Sequence, residues 1–204
     1  MTPASTVLVP PGRFERWVQN FTERHDGCTL AVVSGALTGV AGDESTFTAH
    51  PPFSASYDGP ADVASFTDTC VPPPRWGVLL VRKGGFAVAR LERERTVESK
   101  VGQRHVQGRT KAGGQSQQRF ARRRDNQARM AYEAAAEHAA RILTGVRLVV
   151  TGGDHVAVEA VLTDRRLSAL VVAPPFLTVP DPRRAILEQA VADAGSVRVE
   201  VANA

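Results

Sequence analysis

Apolar residues recur along the first third of the chain with periods that predict a strand, a helix and a second strand. The first strand covers residues 5–9, and Pro11 opens a helix over about 12–25. Four large apolar residues of that helix recur at helical spacing: Phe14, Trp17, Val18 and Phe21. Leu30–Val33 predicts the next strand. From about 35 to 75 the periodicity weakens and Gly, Ser, Thr and Pro dominate, which predicts a long irregular insertion.

The pattern becomes regular again after residue 75. The run WGVLLVRK at 76–83 predicts a buried strand, and Gly84–Gly85 predicts a two-residue hairpin turn. The other expected elements are strands at 86–92, 96–105, 147–150, 169–172 and 197–201 and helices at 116–143, 155–162 and 182–194. The 96–105 strand is polar, which is typical of a sheet edge. The order βββ-α-β-α-β-α-β predicts an α/β fold, a mixed sheet with flanking helices.

Charge is distributed unevenly along the chain. Residues 100–129 contain nine lysines and arginines against one acidic residue, Asp125, which is a net charge of +8. Because the whole chain carries +4, all the other residues together carry −4. A basic segment on a mildly acidic body indicates a binding site for a polyanion; the alternative is a solvated charged face. Like charges three or four positions apart on a helix repel one another, which favours a polyanion as counter-charge.

The predicted helix 116–143 has two unlike halves. Its second half, Met130–Leu143, is rich in alanine and can pack closely on a sheet. In its first half, Ser116–Arg129, the only large apolar residue is Phe120. At about 1.5 Å per residue the helix is roughly 40 Å long, so we expect the first half to project from the body. The glycine-rich loop 108–115 would then lie at a helix N-terminus, where partial positive charge and free N–H groups favour anions.

Gly113, Gly114 and Gln115 form a Gly-Gly-Gln tripeptide in this loop. Two glycines allow backbone angles that other residues avoid and allow a close approach to a ligand. The glutamine amide does not titrate near neutrality, so it cannot be a general base. It can hold a water molecule, or its backbone N–H can stabilise an oxyanion. Such groups suit attack on an ester that is already reactive; alone, the tripeptide is also typical of a flexible turn.

The run GRTKAGGQSQQRFARRRDNQ, residues 108–127, resembles the central domain of the eukaryotic and archaeal class-one release factors. In those proteins a glycine-rich basic loop carries Gly-Gly-Gln-Ser, and a helix follows with an RFAR-type segment, here Arg119–Arg122. The chain is also similar to the Vms-type release-factor-like peptidyl-tRNA hydrolases, which include actinobacterial members of about this length. The resemblance implies a ribonuclease-H-like sheet and a catalytic domain at 76–204. Residues 1–75 would be an N-terminal αβ extension, either separate or part of the same domain.

The resemblance implies release of a nascent chain from tRNA on the large ribosomal subunit. Gln115 would place the hydrolytic water at the ester, and Gly113 and Gly114 would let the loop enter the peptidyl-transferase centre. The residues expected to bind RNA phosphates are Arg109, Lys111, Arg119, Arg122, Arg123 and Arg129. Residues 1–75 show no codon-reading signature, which favours rescue of stalled or split ribosomes. The expected partners are rRNA and peptidyl-tRNA, and the protein is expected to be a cytoplasmic monomer. We expect no cofactor and no metal site, and no binding to DNA or to a membrane.

Two other functions are compatible with parts of the pattern. The basic helix by itself supports a non-catalytic ribosome-binding or RNA-binding factor. A two-metal nuclease needs several converging carboxylates, and the strand 76–83 contains none, which argues against that activity. Asp154 is expected to cap a helix, and His138 is expected to pack or to face solvent.

The remaining composition excludes several classes of site. Cys28 and Cys70 are isolated and show no metal-ligand spacing with the histidines, so a reduced pair is expected. The N-terminus lacks a basic region followed by a long apolar run, so no secretory signal is expected. No stretch approaches the roughly 20 apolar residues that span a bilayer.

Overall fold

The structure, a computed structural model, describes residues 5–103 and 116–204, except for the side chains of residues 103 and 116–128. It divides into two compact units. The first covers the chain up to Pro73 together with Val191–Ala204, and the second covers Pro74–Ala190. The predicted division into an extension at 1–75 and a catalytic domain at 76–204 concerns function and stays a prediction. The compact units differ from it because they assign the C-terminal strand to the first unit.

The first unit is an antiparallel sheet with two helices. Its strands, in the sheet order β1-β10-β4-β3-β2, are β1 (Ser5–Val9), β10 (Val197–Ala202), β4 (Thr46–His50), β3 (Ala36–Ala41) and β2 (Cys28–Val33). The helices are α1 (Pro11–Arg24) and α2 (Val63–Asp68). Phe14, Val18 and Phe21 of α1 are buried at the spacing that predicted this helix. They form one core cluster with strand residues such as Leu37 and Phe47.

The prediction that residues 35–75 form an irregular insertion is wrong. Strands β3 and β4 and helix α2 all lie in this segment. The strands are short, with five or six residues each, and small residues and threonines dilute their apolar pattern. Ser34 and Gly35, with φ of 49° and 79°, make the tight turn between β2 and β3. Paired strands of this kind acquire their stability from cross-strand neighbours, which periodicity does not reveal.

The second unit contains a mixed sheet of five strands in the order β7-β6-β5-β8-β9. The strands are β5 (Trp76–Arg82), β6 (Gly85–Glu92), β7 (Arg95–Gln103), β8 (Leu148–Gly153) and β9 (Val171–Leu177). Strands β5, β6 and β7 pair antiparallel, whereas β8 and β9 continue the sheet in parallel with β5. The prediction of an α/β fold with a mixed sheet and flanking helices is confirmed, and the polar strand β7 lies at the sheet edge as expected.

Three helices belong to this part of the chain: α3 (Ser116–Ile142), α4 (His155–Leu162) and α5 (Arg184–Ala194), which ends in the first unit. Two details of the sequence prediction need correction. Arg82 pairs with Gly85, so the hairpin turn is Lys83–Gly84 and not Gly84–Gly85. The last strand follows α5 as predicted, but it pairs with β1 and β4 in the first sheet.

The second half of α3 packs on the sheet. Ala135, Ala139 and Ile142 are fully buried in the core cluster of this unit. Gly77 of β5 shows how closely the helix approaches, because a Cβ at this position would lie 2.5 Å from Cδ2 of Leu143. The alanines of α3 and this glycine therefore serve close packing. No helix in the part of the chain that the structure describes is long and apolar enough to span a membrane.

Candidate nucleic-acid interface

The predicted catalytic residues Gly113, Gly114 and Gln115, and the predicted RNA ligands Arg109 and Lys111, lie outside the described residues. The roles assigned to them stay predictions. The segment that carries them joins two anchor points, the end of one described element and the start of another.

The first anchor is the carboxyl end of β7 at Gln103. Since β7 is antiparallel to β6, and β6 is antiparallel to β5, β7 ends at the same edge of the sheet as β5, β8 and β9. Ligands of open α/β sheets bind outside the carboxyl ends of the strands. Near this end the ring of Phe86 covers Gly102, where a Cβ would lie 2.3 Å from Cε1 of that ring. The chain therefore leaves the sheet directly after a tightly packed residue, Gly102.

The second anchor is the beginning of α3 at Ser116. The backbone of Arg119, Arg122 and Arg123 lies in this helix, but their side chains are outside the described part. Arg129 is the one predicted RNA ligand whose side chain the structure describes. It is 74 % exposed, and its Nε lies 3.7 Å from Oε1 of Glu133 one turn later. An exposed pair of this kind is weak, so Arg129 remains accessible to a stronger anionic partner.

The length of α3 exceeds the part that rests on the sheet. Arg141 forms an ion pair with Glu98 of β7, which shows where along the strand this end of the helix lies. From Glu98 to the end of β7 at Gln103 the strand advances about 16 Å. From Arg141 back to Ser116 the helix advances about 37 Å. A helix that continues straight from this contact therefore begins on the order of 20 Å beyond the end of the strand.

Several contacts fasten the packed half of α3. Glu98 contacts a second cation, since its Oε2 lies 3.6 Å from Nη2 of Arg90, so the carboxylate joins two guanidinium groups. His138 stacks on Phe86 with ring centroids 5.4 Å apart and planes 25° apart, which confirms packing as its role. Burial, and then the charge of nearby Asp154, raise the pKa of Tyr132. Met130, one of the first residues of α3 whose side chain the structure describes, is half exposed.

The carboxyl edge of the sheet holds a second predicted feature, Asp154 after β8. Its side chain accepts a hydrogen bond from the backbone N–H of Ala157 at 3.3 Å, which confirms the predicted helix cap of α4. His155 stacks on Phe176 with centroids 3.6 Å apart. Among the side chains that the structure describes, no group of three or more His, Cys, Asp or Glu residues could hold a metal ion.

A groove at the opposite edge of this sheet was not predicted from the sequence. It encloses about 1040 Å³ around the C-terminal end of α3, and Arg141, Arg147 and Arg166 line it. Each arginine comes from a different segment, so no run of basic residues marks the groove in the sequence. In the sequence, each of these residues is a single arginine near the end of a predicted helix or strand, and such arginines are too common to indicate a binding site.

The comparison with solved structures finds distant similarity to several chains, among them the following two. The crystal structure of the archaeal translation termination factor aRF1 aligns at 15% identity and a TM-score of 0.44, over 94% of this chain and 65% of that one. The chain thus spans about two thirds of the archaeal factor's length. The Vms1 mitochondrial localization core aligns at 12% identity and a TM-score of 0.44, over 80% of this chain and 75% of that one.

Comparison of sequences places the chain more firmly. No curated protein matches it significantly. Residues 74–200, however, match the family described as the Actinobacteria/chloroflexi VLRF1 release factor. This range begins just before β5 and includes the Gly-Gly-Gln tripeptide, the basic segment and all of α3. The resemblance that the basic loop and helix indicated is confirmed, and the chain belongs to the actinobacterial and chloroflexi VLRF1 release-factor family.

Proposed function

We propose that the protein is a peptidyl-tRNA hydrolase that releases nascent chains from tRNA on the large ribosomal subunit during ribosome rescue. The observation that carries this proposal is the family match over residues 74–200, because it includes Gly113–Gly114–Gln115 within a segment of net charge +8. The proposed partners are rRNA and peptidyl-tRNA, and the proposed acting form is a cytoplasmic monomer without a cofactor.

The described anchors support delivery of the tripeptide to a recessed substrate. The packed half of α3 is held by buried alanines and by the pair between Arg141 and Glu98. The first half is long enough to carry the loop on the order of 20 Å past the sheet. The arginines of this half would neutralise RNA phosphates, and each phosphate contact makes binding weaker as salt increases.

The chemistry assigned to Gln115 is positioning and not proton abstraction. A water oxygen adds to the carbonyl carbon of the ester and the ester C–O bond breaks. The terminal ribose oxygen of the tRNA leaves and takes a proton from the attacking water, which gives a carboxyl group on the peptide and a free hydroxyl on the tRNA. Gln115 would orient the water through its amide or donate its backbone N–H to the oxygen that becomes negative. Gly113 and Gly114 would let the backbone approach the ester without a Cβ in the way.

The test is peptide release from isolated large subunits that carry peptidyl-tRNA, with the wild type compared with Gln115→Ala. Loss of a positioned hydrogen-bonding group should slow release by about 10²–10³-fold, while subunit binding changes little. Gln117→Ala is the matched control, since it removes the same amide two residues away and should keep nearly full activity. Full-rate release by Gln115→Ala would remove the proposed role of this side chain, because alanine keeps only the backbone N–H.

The non-catalytic alternative, an RNA-binding rescue or quality-control factor, is favoured by the basic segment alone. It predicts salt-sensitive binding to large subunits with no release by the wild type. The same assay therefore separates the two functions.

A further inference from the structure

The groove at the amino edge of the second sheet combines an apolar floor with guanidinium groups. Leu143, Val146, Leu167 and Leu170 are among its apolar lining residues. Arg141, Arg147 and Arg166 line it from the end of α3, from the segment before β8 and from the turn after α4. Arg75 lies beside it, because a Cβ on the lining residue Gly145 would be 3.0 Å from Nη1 of Arg75.

The counter-charges of the groove are already engaged. Arg141 pairs with Glu98, and Nη2 of Arg166 lies 2.7 Å from Oδ2 of Asp164. The Asp164 carboxylate accepts two further hydrogen bonds, from Nε and the backbone N–H of Arg166, and these bonds lower its pKa to about 2. Glu137, the one acidic lining residue, contributes its charge to Arg166 as well. The carboxylates therefore serve two of the four arginines.

Arg75 and Arg147 are the other two. Both are exposed, and neither forms an ion pair among the described residues. Gly77 and Val149 are paired in register on the parallel strands β5 and β8, and the two arginines precede these residues by two positions each. Neighbouring strands are about 4.8 Å apart, so the chain positions of the two arginines precede adjacent strands at the same level of the sheet. Two adjacent guanidinium groups can both reach the oxygens of one phosphate.

We propose that this groove is a second RNA-binding site, in which Arg75 and Arg147 together bind a backbone phosphate of ribosomal RNA. The inference that the ligand is ribosomal RNA rests on the proposed function. The inference that the groove binds a phosphate rests on its arginines. The groove lies at the far end of α3 from the Gly-Gly-Gln loop, about 40 Å along a helix of this length. RNA contacts at both ends would hold the helix by two separated points and limit its rotation on the subunit.

The alternative is that these arginines only stabilise α3, because cations near a helix C-terminus interact favourably with its dipole. If that were their only role, substituting these arginines would lower the thermal stability of the protein but leave its RNA affinity and the salt dependence of binding unchanged. The two roles are therefore distinguished by binding measured as a function of salt.

The experiment measures binding of the full chain to isolated large ribosomal subunits between about 50 and 200 mM salt, the range in which phosphate contacts dominate. The double variant Arg75→Ala/Arg147→Ala should bind at least about tenfold more weakly at 100 mM salt. Its slope of log affinity against log salt should be shallower by roughly 0.7–0.9, because the two arginines neutralise one phosphate together. Arg147→Lys should retain most of the affinity, since it keeps the charge.

Arg183→Ala is the matched control, because Arg183 is an exposed arginine of the same unit outside the groove. An unchanged slope in the double variant, or an equal loss in Arg183→Ala, would overturn the proposal. Failure of the catalytic proposal would look different: the wild-type protein would bind subunits with the expected salt dependence but would not release peptide. The two proposals are distinguished because Gln115→Ala should bind subunits with the wild-type affinity and salt slope but release peptide about 10²–10³-fold more slowly.

Discussion

The anchoring of α3 can be tested by removing one buried side chain. Ile142 is fully buried at the end of this helix, in the core cluster of the second unit. Ile142→Ala deletes three carbon atoms, which at about 0.8 kcal/mol each is roughly 2.4 kcal/mol of transfer free energy. A cavity term adds to this, and measured Ile→Ala substitutions in cores cost about 2–5 kcal/mol. We therefore expect a loss of about 3–4 kcal/mol in the free energy of unfolding.

The assay can be confined to the second unit. The chain has two tryptophans, and they lie in different units: Trp17 in the first and Trp76, 1 % exposed, in the second. In a Trp17→Phe background, fluorescence during urea unfolding reports the environment of Trp76 alone. With a slope of roughly 2 kcal/mol per molar urea, the expected loss lowers the midpoint by about 1.5–2 M.

Met130→Ala is the matched control, since Met130 lies on the same helix and is 50 % exposed. It should change the stability by less than about 0.5 kcal/mol. If Ile142→Ala lost less than about 1 kcal/mol, or no more than Met130→Ala, the second half of α3 would not be the anchor described above.

Three further predictions concern backbone, pH and thiol chemistry. Gly153 has φ of +106°, and a Cβ there would lie 2.2 Å from the carbonyl oxygen of Val81; Gly153→Ala should cost more than about 2 kcal/mol in urea unfolding, and an unchanged midpoint would contradict this. Hydrogen bonds from Arg166 lower the pKa of Asp164 to about 2, so its stabilising contribution is complete above about pH 4 and is lost as the pH falls through about 2. The melting temperature of Asp164→Asn should therefore approach that of the wild type at the acid end of a titration; a constant difference at every pH would refute the linkage. Burial raises the pKa of Cys70 to about 11. In the folded chain at pH 8, its thiol should therefore react with an aromatic disulfide reagent much more slowly than the half-buried thiol of Cys28. Addition of urea should make the two thiols react at similar rates, and equal rates in the folded chain would contradict the prediction.

The periodicity of the sequence was sufficient where an element buries one face against a single large core. Helix α1 has its buried residues at the predicted positions, and α4 begins and ends at the predicted residues because Asp154 caps it. The strand WGVLLVRK was equally clear, since β5 is central and buried on both faces. In each case the local pattern and the tertiary environment agree.

The prediction was insufficient where stability comes from pairing. Strands β3 and β4 have little apolar periodicity of their own, yet each lies between two strands of the first sheet. The partner of β10 could not be deduced either, because its pairing with β1 and β4 joins residues at opposite ends of the chain. Hydrogen bonds between distant segments leave no mark on local sequence spacing.

The candidate chemistry divides in the same way. The Gly-Gly-Gln tripeptide and the basic segment are contiguous, so the sequence alone determined which residues form the proposed RNA-directed tip and which release-factor family to expect. Only the tertiary structure decided that Glu98 of the edge strand pairs with Arg141 of α3, and that Arg75 and Arg147 directly precede two strands that pair in parallel. The physical reason is range: a run of charge or a flexible turn is a local property, whereas a groove exists only when segments far apart in the chain are brought together by the fold.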